Sequence, residues 1–408
     1  LKKKSMPSED KAYENMDYMH HDTGEGTLEN PYQIPNLGKL YQLRNFAENE
    51  NLLYFNLVSN INASYAGTLL GNWTSFDIQN INLNGYDSLT QDFSEISNLT
   101  SSGGGMFDQV TNSTISNMKL HNIGYENLSG KSHIGALANE VLGDSSSVSN
   151  ISGIIITKIN LTTETSRSMD NNAYVGGVVG RLGEDATLEN CSIIEDSYGQ
   201  DAVMNIALQH NKSLTFGGFV GLVDGGTITG CDISRPFTAS LSTGTTTGAP
   251  TYIVGGIAGM MTSGTIQNCT LNTDMMAAAT AAGDSRLQAT AGANSATIYV
   301  GGIVGVVGEK EDNQISNSAN SGTISNCFVA SNATIIAGNA YNVKTAYVGG
   351  ISGFGGTILN CYNNASRLVG IAKYNYTSPS DEEYLNSDYE YNNGRWEERT
   401  EEIAYTHT

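Results

Sequence analysis

Proline is scarce in this chain, 6 in 408 residues, and so are basic residues, with 20 Lys+Arg against 41 Asp+Glu. The resulting net charge of −21 argues against nucleic-acid binding, which needs a basic face to displace counterions from phosphates. No long apolar run occurs, so no membrane span is expected. No signal peptide is visible, and the start Leu1-Lys2-Lys3-Lys4 without Met fits a processed or truncated end. The motifs H-E-x-x-H and G-x-S-x-G are absent, as is a local Ser/His/Asp signature. Gly124 to Ser132 misses the P-loop spacing by one residue and precedes no helical pattern. His20-His21-Asp22 lies in an irregular N-terminal stretch that reads as a solvated tail. No Cys-x-x-Cys or Cys/His pairing offers a metal site, so no cofactor is expected, with Ca²⁺ at turn acids left open.

Glycine, by contrast, is plentiful at 46 residues. An apolar residue followed by Gly-Gly-x-x-Gly occurs at Gly176-Gly177, Gly217-Gly218, Gly255-Gly256, Gly301-Gly302 and Gly349-Gly350, with a decayed copy at Ile134-Gly135-Ala136. The copies recur about every 43 residues, the period of a repeat architecture. A short turn follows each copy, then an apolar residue, two residues and Cys. The five cysteines, Cys191, Cys231, Cys269, Cys327 and Cys361, thus occupy one repeat position. Between turns the segments are short, β-branched and alternating, as strands are. Corners of two to four residues suit two turns of a β-solenoid per repeat, about 21 residues each. Fifteen or so such rungs would rise about 70 Å at the strand spacing. Neighbouring Cys would then lie about 10 Å apart, too far for disulfides, and are expected as five buried free thiols. The Gly-Gly pair marks a sharp bend or a close backbone approach. Asn before Cys would form a corner ladder.

The unit GGIVGVVG…GTISNCFV resembles the GLUG motif of bacterial and archaeal surface proteins, and GEGTLENPYQIPNLGKLYQLRNFAE resembles their N-terminal entry. The resemblance covers roughly residues 24–365. It implies an all-β chain, a right-handed parallel β-helix (β-solenoid), and an extracellular adhesin-like or structural role without enzyme chemistry. The expected organisation is an N-terminal extension (1–26), a capping segment with a short helix over Leu37–Glu48 (27–50), the repeat body (51–372) and an acidic aromatic C-terminal segment (373–408).

Three function classes follow. An adhesin would bind a host glycan or protein through insertions such as Ser240–Tyr252 and Asp274–Ala296. A filament subunit would self-associate head to tail through its termini, since residues 373–408 carry seven aromatics among nine acids. A polysaccharide lyase or hydrolase would need a groove with clustered Asp/Glu plus Lys/Arg. Its candidate acids are Asp144, Glu184, Asp185, Asp224, Glu309, Glu311 and Asp312, with Arg181 nearest; stacked on one edge they could also bind Ca²⁺, and otherwise they are solvated turn acids. The expectation is a surface protein and not an enzyme. Glycosylation sequons support it: Asn62, Asn72, Asn98, Asn112, Asn127, Asn150, Asn160, Asn211, Asn332, Asn364 and Asn375. Asn190 and Asn268 also fit the sequon but precede the inward Cys.

Overall fold

The computed structural model describes residues 24–64, 73–126, 130–144, 146–162, 172–194, 204–209, 213–235, 237–242, 251–273, 275–279, 296–311, 314–316, 321–338, 343–371, 389–392 and 395–398. Apart from one helical turn the described chain is β. The long strands pair in parallel with their counterparts in neighbouring repeats.

One repeat shows how a layer is built. The strand Asn172–Gly176 runs into the glycine corner, Val179–Leu182 leaves it, and Ala186–Glu189 continues to a second corner. There Asn190 takes a left-handed backbone (φ 52°), a conformation open to Asn, and Cys191 turns into Ser192–Ile193. Leu188, Ile228, Ile266, Ile324 and Ile358 stand in successive register. So do Gly176, Gly217, Gly255, Gly301 and Gly349, which belong to a separate six-stranded sheet made only of the strands entering the glycine corners.

These registers correct the sequence reading. Each repeat makes one layer, not two rungs, because a glycine corner stacks only on glycine corners and an Asn-Cys corner only on its own kind. The chain is therefore not the expected β-helix of 21-residue rungs. Its parallel strands form a closed, barrel-like core of 7 strands with further strands added. From Tyr54 to Thr357, nine strands lie in one series, so that series rises about 40 Å at the strand spacing, rather than 70 Å.

The glycine corner depends on missing side chains. A Cβ on Gly176 would lie 1.9 Å from the Val179 carbonyl oxygen, and one on Gly255 would lie 1.7 Å from that of Ala258. The third glycine meets the sheet strand instead: a Cβ on Gly180 would stand 2.3 Å from the Ile134 nitrogen. Bend and close approach are thus both required, and neither relies on a left-handed backbone. Behind the corner Val178 and Val179, Phe219 and Val220, and Ile303 and Val304 fill the interior, all fully buried.

At the N-terminal end a helical turn, α1 (Leu37–Tyr41), continues as a 3-10 turn over Gln42–Phe46. The Asn36 side chain accepts the Lys39 N–H at 3.0 Å, as an N-cap should. Leu40 and Leu43 are fully buried against the first strands. Tyr41 packs on Trp73 and Phe76, and the Trp73 indole donates to the Met106 carbonyl at 2.9 Å. The opposite end is open among the described residues: Ile358 is 45% exposed although its counterparts in the layers before it are fully buried.

Gly255→Ala should cost on the order of 3 kcal/mol or more, because the clash is with backbone and cannot be relieved by a rotamer. Gly130→Ala, with nothing within 4 Å of the added carbon, should cost only the roughly 1 kcal/mol of a left-handed backbone. Urea unfolding of both variants checks this; equal losses would contradict the corner account.

Candidate functional site

The glycine corner leaves two side-chain series on its outer side, seven residues apart in every layer. Before the corner stand His133, Tyr174, Thr215, Ile253, Tyr299 and Tyr347, in register along the six-stranded sheet. After it stand Glu140, Arg181, Leu222, Met260 and Val306, with Phe354 in the last layer. Because the corner folds the two strands face to face, these series line a seam outside the main core.

The seam changes chemistry from layer to layer. At its lower end His133 Nδ1 lies 3.0 Å from Glu140 Oε1. Arg181 donates to Glu140 Oε2 at 3.1 Å and to Asp224 Oδ2 at 2.7 Å. The Thr262 hydroxyl donates to Asp224 Oδ1 at 2.8 Å. The His133 ring stacks on Tyr174 at 5.5 Å. In its middle Leu222, Ile253, Met260 and Val306 form a small apolar cluster of their own, joined by Tyr299. At the upper end Tyr299 and Tyr347 stack at 4.7 Å with planes 6° apart, and Phe354 meets Tyr299 edge-on.

Below His133 the six-stranded sheet ends. Asp77, Asp108 and Asn139 stand there on the strand positions that glycine holds higher up. Lys131 donates to both Asp108 oxygens at 2.7 Å, and Asn139 adds a bond to Asp108 Oδ1 at 2.7 Å. Asp77 accepts the Gln109 N–H at 3.1 Å.

Electrostatics separate these acids. The hydrogen bond from His133 is the largest effect on Glu140; with Arg181 it outweighs burial and holds the carboxyl below its usual range. Burial works most strongly on Asp224, but the Arg181 and Thr262 bonds overcome it and leave that carboxyl lowered. Asp77 goes the other way: burial, then the charge of Asp108, pushes it up. Asp77 thus holds its proton more readily than an isolated carboxyl, as an acid buried beside a second carboxylate does.

Of the acids expected from the sequence, only Asp224 among the described residues joins this cluster. Asp144 caps its own turn, accepting from Ser146 and from Asn112, and these bonds pull its carboxyl down to about 2. Glu184 and Asp185 are exposed turn residues. Glu309 and Glu311 lie on a hairpin with Gln314–Ser316, and Asp312 is outside the described residues. Among the described residues the expected ladder of acids on one edge therefore does not form. No group of three or more His, Cys, Asp or Glu among the described residues is placed to hold a metal ion. The sequence reading missed His133, Glu140, Asp77 and Asp108. The signal lay in the residues flanking each Gly-Gly-x-x-Gly, including the decayed copy.

The five Cys stand in adjacent layers: Asp232 N donates to Cys191 O at 3.0 Å, Thr270 N to Cys231 O at 2.9 Å, Phe328 N to Cys269 O at 2.9 Å and Tyr362 N to Cys327 O at 2.9 Å. They are one strand spacing apart, not two, yet all five are free thiols and all but Cys361 are buried. Among the sequons, Asn72, Asn127, Asn211 and Asn375 lie outside the described residues, and Asn160 is described only as part of a strand. Asn98 donates to Asn62 at 3.1 Å, Asn112 to Asp144 at 2.8 Å and Asn150 to Glu189 at 2.9 Å, so a glycan on any of these three would replace a bond between layers. Asn62, Asn332 and Asn364 are exposed, as are Asn190 and Asn268. The insertions at 243–250 and 280–295, and residues 1–23, 372–388 and 399–408 of the two ends, lie outside the described residues.

No family model matches the chain, and no curated protein does. Among solved structures the chain is similar to a Bacteroides ovatus protein provisionally assigned as an immunoglobulin A1 protease, with a TM-score of 0.51 and 18% identity over 82% of this chain and 87% of the other. A second similar structure, described as IgA1 protease, has a TM-score of 0.47 and 15% identity over 80% of this chain but only 21% of the other. The first likeness shows the fold alone. It nevertheless overturns the expectation of a chain outside enzymes, since the same fold carries a protein assigned to peptidase chemistry.

Glu140 and Asp224 are lowered in the folded state, so the stability they add is present above their unfolded pKa values, near 4, and is lost as pH falls through the folded values. Arg181→Met should therefore cost about 1 kcal/mol or less at pH 7 and nearly nothing at pH 2. Urea unfolding at both pH values measures it; an equal loss at each would contradict the ion-pair assignment.

Proposed function

We propose that this chain is an extracellular surface module, adhesive or structural, that takes its ligand along the seam. The observation that carries this reading is the aromatic upper end. Tyr347 is 43% exposed and is held flat by its stack on Tyr299. A large, rigid apolar face with a polar rim loses little conformational entropy on binding, and a glycan ring presents a matching apolar face. The acidic surface, the exposed sequons and the resemblance to GLUG-motif surface proteins support the same reading. Head-to-tail assembly has less support, because α1 already covers the first layer. Among the described residues, growth through an end has the last layer to use, where Ile358, Leu359 and Tyr362 are 45, 50 and 68% exposed.

A second reading has one observation in its favour: the Asp77–Asp108 pair, a carboxyl raised beside another that is ion-paired, can do general acid–base work. The activity to test is peptide hydrolysis, with immunoglobulin A1 as the substrate named for the similar structures.

The full chain screened on a glycan array should bind at least one glycan, and Tyr347→Ala should weaken that binding at least tenfold without lowering Tm. Binding unchanged by the substitution overturns the seam as the adhesive surface. Cleavage of immunoglobulin A1 that disappears in Asp77→Asn and Asp108→Asn would establish the second reading; an intact substrate after prolonged incubation would retire it.

A further inference from the structure

The cysteine column differs from the thiols of an ordinary core. Equivalent side chains of adjacent parallel strands point the same way, about 4.8 Å apart. Four of the five Cys are at most 1% exposed. Cys231 stands between Cys191 and Cys269 in successive layers, and Cys269 between Cys231 and Cys327. Cys361 completes the column from the last described layer, where the Cys327 N–H points at its sulfur at 3.4 Å. Each sulfur also donates to the carbonyl two residues earlier, at 3.2 to 3.6 Å, so all five have the same orientation.

A thiolate bond to a metal of this size is about 2.3 Å, and two such bonds end to end span about 4.6 Å. That span matches the spacing of the layers. No three donors converge on one point among the described residues, which excludes tetrahedral zinc and leaves two-coordinate binding. Soft thiolates select monovalent copper-type ions. We infer that the cysteine column is a site for soft monovalent d10 cations, one between each pair of neighbouring sulfurs, four ions on five thiolates.

The balance is simple. Each sulfur loses its proton, five in all, four cations enter, and no oxidation state changes. The column then carries a net charge of −1 shared over five sulfurs, which is why monovalent ions suit a buried site where isolated charge is costly. Among the described residues Cys361 is the least buried of the five and is the point of access.

Silver(I) tests this, since it takes the same two-coordinate geometry without oxidising thiols. The reduced, folded full chain titrated with silver nitrate, with metal per chain read by mass spectrometry and proton release by pH-stat, should saturate at four ions and release five protons. Cys269→Ser splits the column into two pairs and should reduce uptake from four ions to two. Cys361→Ser, at the half-exposed end where folding is not at risk, should reduce it to three. Five ions on the native chain falling to four in both variants would mean independent thiols and overturn the column. Uptake by the unfolded chain only would overturn it too.

Discussion

The constraint on which the rest of the structure depends is backbone packed against backbone at the glycine corner. Three glycines in five residues let a strand bend sharply and then press against the strand of the layer below. No side chain can be added at the first or third position without meeting a carbonyl oxygen or a backbone nitrogen. Because the corner is made of backbone, it repeats identically whatever residues flank it. The layers therefore stay in register through five copies, and the interior positions Val178, Phe219, Ile257, Ile303 and their neighbours fall into one core.

The same constraint creates the seam. Folding two strands face to face puts their outward residues side by side, seven apart in sequence, where the core makes no demand on them. His133–Glu140, Thr215–Leu222 and Tyr299–Val306 occupy equivalent places with unrelated chemistry. A surface whose frame is fixed and whose lining is free is where binding or chemistry can be placed without cost to the fold. The lower end uses this freedom for an ion-pair network and the upper end for stacked aromatic rings. Where the six-stranded sheet stops, Asp77, Asp108 and Asn139 take the space that glycine and backbone occupy above, so the polar cluster marks the edge of the corner architecture.

Much of this could be read before the structure. The glycine copies, the single Cys position, the strand character of the intervening segments and the helical spacing at Leu37, Leu40 and Leu43 are local signals. The number of layers per repeat was not readable. Both corners are short and rich in Gly, Asn and Ser, and only their stacking partners distinguish a half-layer from a whole one. The consequence for the cysteines was a factor of two in spacing. The site was hidden for a related reason. His133 and Glu140 flank a decayed copy that keeps only one glycine, Asp77 lies two layers earlier with no glycine corner at all, and nothing local joins them to Arg181 or Asp224.

One repeat makes one layer. Two spectroscopic labels at positions 150 and 357, introduced as unnatural side chains so that the native thiols stay unlabelled, report on it directly. Asn150 and Thr357 belong to one registered series, with Thr187, Thr227, Thr265 and Thr323 between them. Five strand spacings separate them, so a dipolar measurement should give about 24 Å, broadened by the label arms. A distance near 48 Å, as two rungs per repeat would produce, would contradict the account.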